Sequence, residues 1–357
     1  MDINFGLKPF WFWNGEMKDD EIIRQIKEMH EKGIGGFLIH PRQGLTVPYL
    51  SKQWFDKVGV AVEGAKKYGL EAWLYDEYPY PSGIGGGEVI SGHPEFEAKA
   101  IEVKKVDTDG SGEIDLELPW GVVLIAAAYP VEDGNVQWEK KVDLSDHIGI
   151  CHREKIYQES GLTYYNSKRF FTGELARGLH WKSPRGKWRV YVFLEVKVDR
   201  FKYYGTFIDP LNPAATDRFI LSTHEKYKQY FGHEFGKTIK GIFCDETAPF
   251  TSGFGADMPW SPLLPKMFRE RTGYDLIERL PALLEPMGED TNRVRYDFWN
   301  TVVSAFVENF DMRIHEWCRK NNILYIGEKP ILRSSQLKHM DIPLSLIHIS
   351  EPTRQAE

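Results

Sequence analysis

Cysteine is scarce: three residues in 357, at positions 151, 244 and 318. Cys151, Cys244 and Cys318 are too few and too far apart for a disulfide framework or a CxxC metal site, so they read as free core thiols. Positive charge is in deficit, with 45 Lys and Arg against 52 Asp and Glu and a formal net charge of -7. That balance disfavours nucleic acid, whose partners concentrate Lys and Arg on one face. No apolar run is long enough to span a bilayer, and Met1–Phe10 lacks the basic start and apolar stretch of a secretion signal. The expectation is a cytoplasmic protein that does not engage membranes. No glycine-rich phosphate loop follows the first strand-like run, which counts against a dinucleotide fold. HxH and HExxH motifs are also missing.

Aromatic residues, by contrast, are plentiful at 14% of the chain, with 11 Trp and 17 Tyr, and many stand beside polar residues instead of in apolar runs. Sugar rings stack their C–H faces on such rings, while their hydroxyls need carboxylates, Asn, Arg and His at the rim. Core filling is the competing use for any single ring. A carbohydrate is the partner that this composition suits.

The first ninety residues alternate strand and helix patterns. Phe10–Trp13 reads as a strand stopping at Asn14-Gly15. Ile22, Ile26 and Met29 recur at helical spacing before Gly33, a helix-ending glycine. Gly36–Ile39 is a buried strand, Ser51 a helix cap ahead of Trp54, Val58, Val62 and Ala65, and Leu70–Tyr75 a third strand. The alternation breaks over 93–205, which reads as a β-rich insertion. It resumes with a helix opened by Asn212-Pro213, bearing Phe219, Thr223, Tyr227 and Tyr230 on one face. A strand at Lys240–Cys244, a helix from Asn292 to Lys320 and a strand at Ile323–Ile326 follow. The expected architecture is α/β: an incomplete (β/α)8 barrel, with 1–92 and 206–343 as its two parts and the insertion after the third strand. Leu344–Arg354 resembles a translated sequencing adapter, so 344–357 is set aside as non-native. About five strands then precede it, and a truncated, aggregation-prone barrel with open edges is expected.

In barrels the working residues lie at the carboxyl ends of strands. Those positions are Trp13 and Asn14, His40 and Arg42, Asp76 and Glu77 with Tyr78, Asp245 and Glu246, and Glu328. Glycoside hydrolysis needs a protonated carboxyl group beside the leaving oxygen and a second carboxylate to activate water or attack the sugar. Glu246 is the candidate acid, since burial after a strand and the charge of Asp245 would raise its pKa. Its competing role is to cap the next helix with Asp245 or to pair with an Arg. Glu328 is the candidate second carboxylate, with a sugar contact, a metal ligand or an ion pair to Lys329 or Arg333 as alternatives. The remaining residues are candidate sugar-binding groups. His40, Asp76, Asp245, Glu246 and Glu328 could instead hold a divalent cation, which would make the protein a metal-dependent barrel hydrolase. A sugar-binding protein without catalysis is the third reading.

Four segments carry a resemblance: Pro9–Gly15, Gly33–Arg42, Tyr75-Asp76-Glu77 with Pro81-Ser82-Gly83, and Asp245-Glu246. Together, in this order, they resemble glycoside hydrolase family 106, the α-L-rhamnosidases, over roughly Lys8–Gly92 and Asp209–Pro343. The resemblance implies a (β/α)-barrel, hydrolysis of terminal α-linked L-rhamnose with inversion, dependence on calcium, and two glutamates as acid and base. By position Glu246 matches the acid.

Overall fold

In the computed structural model, described for residues 6–110, 112–151, 156–157, 171–172, 176–201, 205–249, 258–329 and 334–344, the βα units build one parallel sheet. It contains β1 (Phe10–Trp13), β2 (Gly36–Pro41), β3 (Glu71–Tyr75) and the strands Ile239–Asp245, Leu324–Glu328 and Ile342–Leu344, side by side in that order. Every pairing is parallel. Each strand lies beside its predecessor in the sheet, without the reversal of order that a doubly wound sheet contains. Six strands stand where the sequence suggested five. The sixth is three residues long, and its Leu344, the first residue of the stretch set aside as non-native, pairs with Glu328. Residues 345–357 lie outside the described residues.

Alternation along the strands gives the sheet two different faces. Trp11, Trp13, Phe37, Ile39, Leu74, Ile242 and Tyr325 enter the large core shared with the helices. Phe10, Leu38, Trp73, Tyr75, Phe243 and Ile326 form a separate cluster to which no helix contributes. Trp73, Tyr75 and Phe243 are nevertheless at most 2% exposed. Rings buried on a face without helices are covered by the sheet itself, which curls around them. That side is called the inner face below.

The helices form where the sequence patterns place them. In α1 (Asp19–Glu31) three acidic residues occupy the first turn, favourable against the helix dipole, and Ile22 and Ile26 are buried. In α2 (Lys52–Tyr68) the Ser51 hydroxyl accepts from the Trp54 N–H, and Gly69 closes the helix in the left-handed conformation. The two helices meet at Gly64, where a Cβ would come within 2.8 Å of Ile26.

Two longer helical runs are each interrupted by one π turn, Ile220–His224 and Val307–Asp311. In the second run Phe298, Val302, Phe306, Phe310, Ile314 and Cys318 are all buried at a strict spacing of four. A regular α-helix would rotate such a row by about 40° per step, and the wider π turn takes up the drift. In the first run Phe219, Thr223 and Tyr227 are buried, but Tyr230 is 40% exposed and Phe231 is buried instead. The expected stripe departs there because the π turn shifts its phase.

Between β3 and the Ile239–Asp245 strand lies a β-sandwich. Lys99–Asp109, Val122–Glu132 and Lys187–Lys197 form the centre of a second six-stranded sheet, and Glu113–Leu118, Ile148–Cys151 and Ala176–Lys182 a three-stranded one. Val190, Val192 and Leu194 face the space between them, whereas Tyr191 and Phe193 face the main core. Met258–Trp260, from beyond the expected insertion, joins the edge of the larger sheet. Among the described residues no helix is long and apolar enough to cross a membrane.

Candidate functional site

The parity of each strand decides which of its last residues reaches the inner face. On β1 the inward residues are Phe10 and Phe12, so Trp13 points to the helices. It is 1% exposed, edge-on to Trp11 and Trp54. Trp13 is thus packed in the helix-side core, whereas Phe12, which the sequence reading passed over, is 49% exposed. The register decides it: Phe12 pairs with His40, and parallel partners share a face. Asn14 is exposed beyond the strand, with its carbonyl against Gly44, where a Cβ would sit 2.5 Å away.

His40 ends β2 in an aromatic stack. Its ring lies 3.8 Å from that of Tyr75, nearly parallel, with Phe10 and Phe12 edge-on. Nδ1 lies 3.0 Å from the Pro41 carbonyl. A carbonyl can only accept, so Nδ1 carries the proton. Burial, opposed by the hydrogen bond to Pro41 and aided by Arg42, lowers the pKa to about 4. The imidazole is neutral near pH 7, with its lone pair on Nε2. Arg42 continues past the strand and places its guanidinium 5.1 Å from both the Phe12 and the Tyr80 ring centres.

After Tyr75 the next two carboxylates turn away from the inner face. Asp76 is fully buried, accepts from the Ser82 hydroxyl at 2.5 Å and faces His224 Nε2 at 3.5 Å. Glu77 is fully buried as well, and its two oxygens accept from the backbone N–H groups of Tyr78, Gly83, Ile84, Gly85 and Gly86 at 2.6–2.9 Å. Burial pushes its pKa up to about 7 against the opposing backbone donors Gly86, Tyr78, Gly85 and Gly83. The glycine-rich segment thus forms an anion nest filled by the protein's own carboxylate. Both carboxylates are fully buried in this conformation, apart from the expected sugar-binding position. Asp76 links the loop at Ser82 to the π turn at His224, and Glu77 shapes the loop that carries Tyr80. Tyr78 is half-buried and its ring leans toward Tyr49, 5.9 Å between centres.

The remaining acids stay together. Asp245 and Glu328 are register partners on adjacent strands. Asp245 is half-buried and accepts a short hydrogen bond from the Tyr75 hydroxyl. Burial, and then the charge of Asp245, raises the Tyr75 pKa well above its ordinary value, so the phenol keeps its proton. Glu328 is 5% exposed and shares the parity of Ile326, on the inner face. Its neighbour Lys329 points outward to Asp311 at 3.3 Å; this excludes Lys329 as the ion-pair partner of Glu328. By strict alternation Glu246 would also point outward. Instead it adopts φ 49°, a left-handed conformation uncommon for a side chain of this size, and its N–H donates to the Glu328 carbonyl at 2.8 Å. The kink leaves Glu246 half-buried instead of sealed behind the sheet.

His40, Arg42, Asp245, Glu246 and Glu328 all lie at the carboxyl ends of the strands, as do Trp13, Asp76 and Glu77, but Trp13 enters the helix-side core and Asp76 and Glu77 are fully buried. Among the described residues no three His, Cys, Asp or Glu converge as a metal ion would need. Within the cation set expected from His40, Asp76, Asp245, Glu246 and Glu328, Asp76 is sealed against His224 while His40, Asp245 and Glu328 face the inner side. A cavity of about 300 Å³ lies elsewhere, lined by residues that include Tyr274, Arg279 and Arg293.

No family model matches the chain. It is 23% identical to a protein of Formosa agariphila named "Putative beta-glucuronidase", over 90% of this chain and 29% of that protein. Among solved structures it resembles the rhamnosidase from Novosphingobium sp. PP1Y, with a TM-score of 0.59 and 14% identity over 94% of this chain and 48% of that one. The chain therefore spans less than half of the length of either, and the second likeness is one of fold.

Proposed function

We propose that this chain is part of a glycoside hydrolase, its six parallel strands belonging to a (β/α)8 barrel, which removes a terminal sugar of the α-L-rhamnoside type. Glu246 is the general acid and Glu328 the second carboxylate. The reading rests above all on the left-handed turn at Glu246, which spares this carboxylate the burial that takes Asp76 and Lys329 out of reach. Such strained residues concentrate where chemistry requires a particular direction. The glycosidase names of both similar proteins and the family 106 resemblance support it.

In this mechanism Glu246 gives its proton to the glycosidic oxygen as the bond to the sugar breaks. Glu328, one strand away at roughly 5 Å of strand spacing, takes a proton from the attacking water. Inversion, which the resemblance implies, requires the two carboxyl groups to stand about 6.5–9.5 Å apart, with room for that water. Tyr75 holds Asp245 in place beside the acid, and neutral His40 can accept from a sugar hydroxyl through Nε2. Phe12 offers its exposed ring to the sugar face.

Glu246→Gln removes the proton donor while conserving shape. Turnover of an aryl rhamnoside should fall by at least about a hundredfold, with the affinity for rhamnose retained. Unchanged turnover would remove Glu246 from the mechanism, and turnover abolished by a chelator would favour the metal-dependent alternative.

A further inference from the structure

Among the described residues Arg42 differs from the arginines that form ion pairs. Arg24, Arg189, Arg269, Arg271 and Arg313 each pair with a carboxylate. Among the described residues no carboxylate pairs with Arg42, although the protein is acidic. Its guanidinium is held instead by two rings, Phe12 and Tyr80, each centred 5.1 Å away. Contact with ring faces engages the charge without using the N–H groups as hydrogen-bond donors, and a guanidinium can give a carboxylate two parallel hydrogen bonds. Phe12 is half exposed and Arg42 half-buried, so the clamp opens at the end of the sheet where Asp245, Glu246 and Glu328 lie. Three acids there would repel an anionic ligand unless a fixed cation offset them. Lys329 is committed to Asp311 on the other face.

We infer that Arg42 recognises a carboxylate on the saccharide, so that the site takes a uronate-bearing sugar instead of a purely neutral one. The inference rests on the reading of this site as a sugar site. β2 and the Ile239–Asp245 strand are two places apart in the sheet, roughly 10 Å. That separation puts a sugar between the clamp and the acid. The carboxylate could belong to the terminal sugar or to the one next to it, and the shared chemistry is the same.

The test is calorimetric titration of the chain with matched pairs: glucuronate against glucose, and a rhamnosyl-glucuronate against a rhamnosyl-glucose disaccharide. At least one acidic member should bind about tenfold more tightly than its neutral match, with the advantage reduced in high salt. A preference in the monosaccharides places the carboxylate on the terminal sugar, and one in the disaccharides alone places it on the neighbour. Arg42→Met should equalise the pair, and Arg42→Lys, which keeps the charge but loses the fork, should restore only part of the preference. Should Arg42→Met fail to fold, Phe12→Leu, which removes one stacking ring, should lower the preference. Equal binding within both pairs, or a preference that survives Arg42→Met, overturns the inference alone. Failure to bind any of the four sugars overturns the sugar-site reading with it.

Discussion

At the carboxyl ends of the parallel strands, the inner and the helix-covered faces receive similar polar residues and engage them differently. Behind the sheet, Lys329 pairs with Asp311 at 3.3 Å and contacts the Cys244 sulfur at 3.3 Å, while the Tyr325 hydroxyl and the Gln336 amide also donate to Asp311. Lys329, Asp311 and Cys244 are all buried. The opposite charges outweigh burial in setting the Lys329 pKa, which stays above its ordinary value. On the inner face Asp245 remains half-buried and Phe12 half-exposed, and Glu246, next to Asp245, is half-buried as well. One face uses charge to lock the strand ends, and the other leaves charge within reach of a ligand. A single step in register separates the two, as Glu328 and Lys329 demonstrate.

The sharpest break in that comparison is Lys329→Met, which leaves Asp311 buried without its cation and should cost about 3–5 kcal/mol in denaturant unfolding. Adding Asp311→Leu should recover much of this loss. A cost below about 1 kcal/mol for the single change would mean that the pair locks nothing.

Next in size is the contrast between neighbours on β1. Trp13→Ala should cost about 3–5 kcal/mol by emptying a packed aromatic site, with sugar affinity preserved in the folded fraction. Phe12→Ala should cost less than about 1 kcal/mol in stability but weaken sugar binding about tenfold. The reverse pattern, read by calorimetry and unfolding together, would exchange the roles of the two faces.

The smallest effect concerns pH. Burial lowers the pKa of His224, which faces Asp76 behind the sheet, to about 3. The unfolded chain, with an ordinary histidine near 6.5, binds the proton first as pH falls. The stability contributed by neutral His224 is therefore complete above pH 6.5 and declines as pH falls toward 3. Unfolding measured from pH 7 to 5 should show the wild type losing on the order of 1 kcal/mol relative to His224→Leu. Parallel curves would show that His224 does not titrate on unfolding.

Much of this organisation was legible. Ser51, Gly69 and the spacing of Trp54, Val58 and Val62 define α2 through local chemistry that requires no distant partner. The row from Phe298 to Cys318 identifies a long helix, and its strict spacing of four even carries the signature of the π turn. What stayed hidden depends on contacts between strands. In Phe10–Trp13 all four residues are aromatic, so apolar patterning cannot reveal which two face inward, and only the pairing of Phe12 with His40 decides it. Asp76 and Glu77 stand at a strand end, as a ligand would, yet their partners Ser82 and Gly83–Gly86 occupy the following loop. The run of glycines after Glu77 was the available sign that backbone N–H groups would gather around an anion. For Glu246 the sequence pointed to the residue but not to the left-handed turn that frees it from the alternation.

Hydrogen exchange of the Glu246→Gln chain, with and without L-rhamnose or the rhamnosyl-glucuronate, tests the central claim most directly. Slower exchange is predicted at Arg42–Leu45, Tyr78–Gly83 and Glu246–Thr247, where the strand ends open on the inner face. Protection confined to the cavity around Tyr274 and Arg293, or to the outer surfaces of α1 and α2, would contradict a sugar site at this end of the sheet.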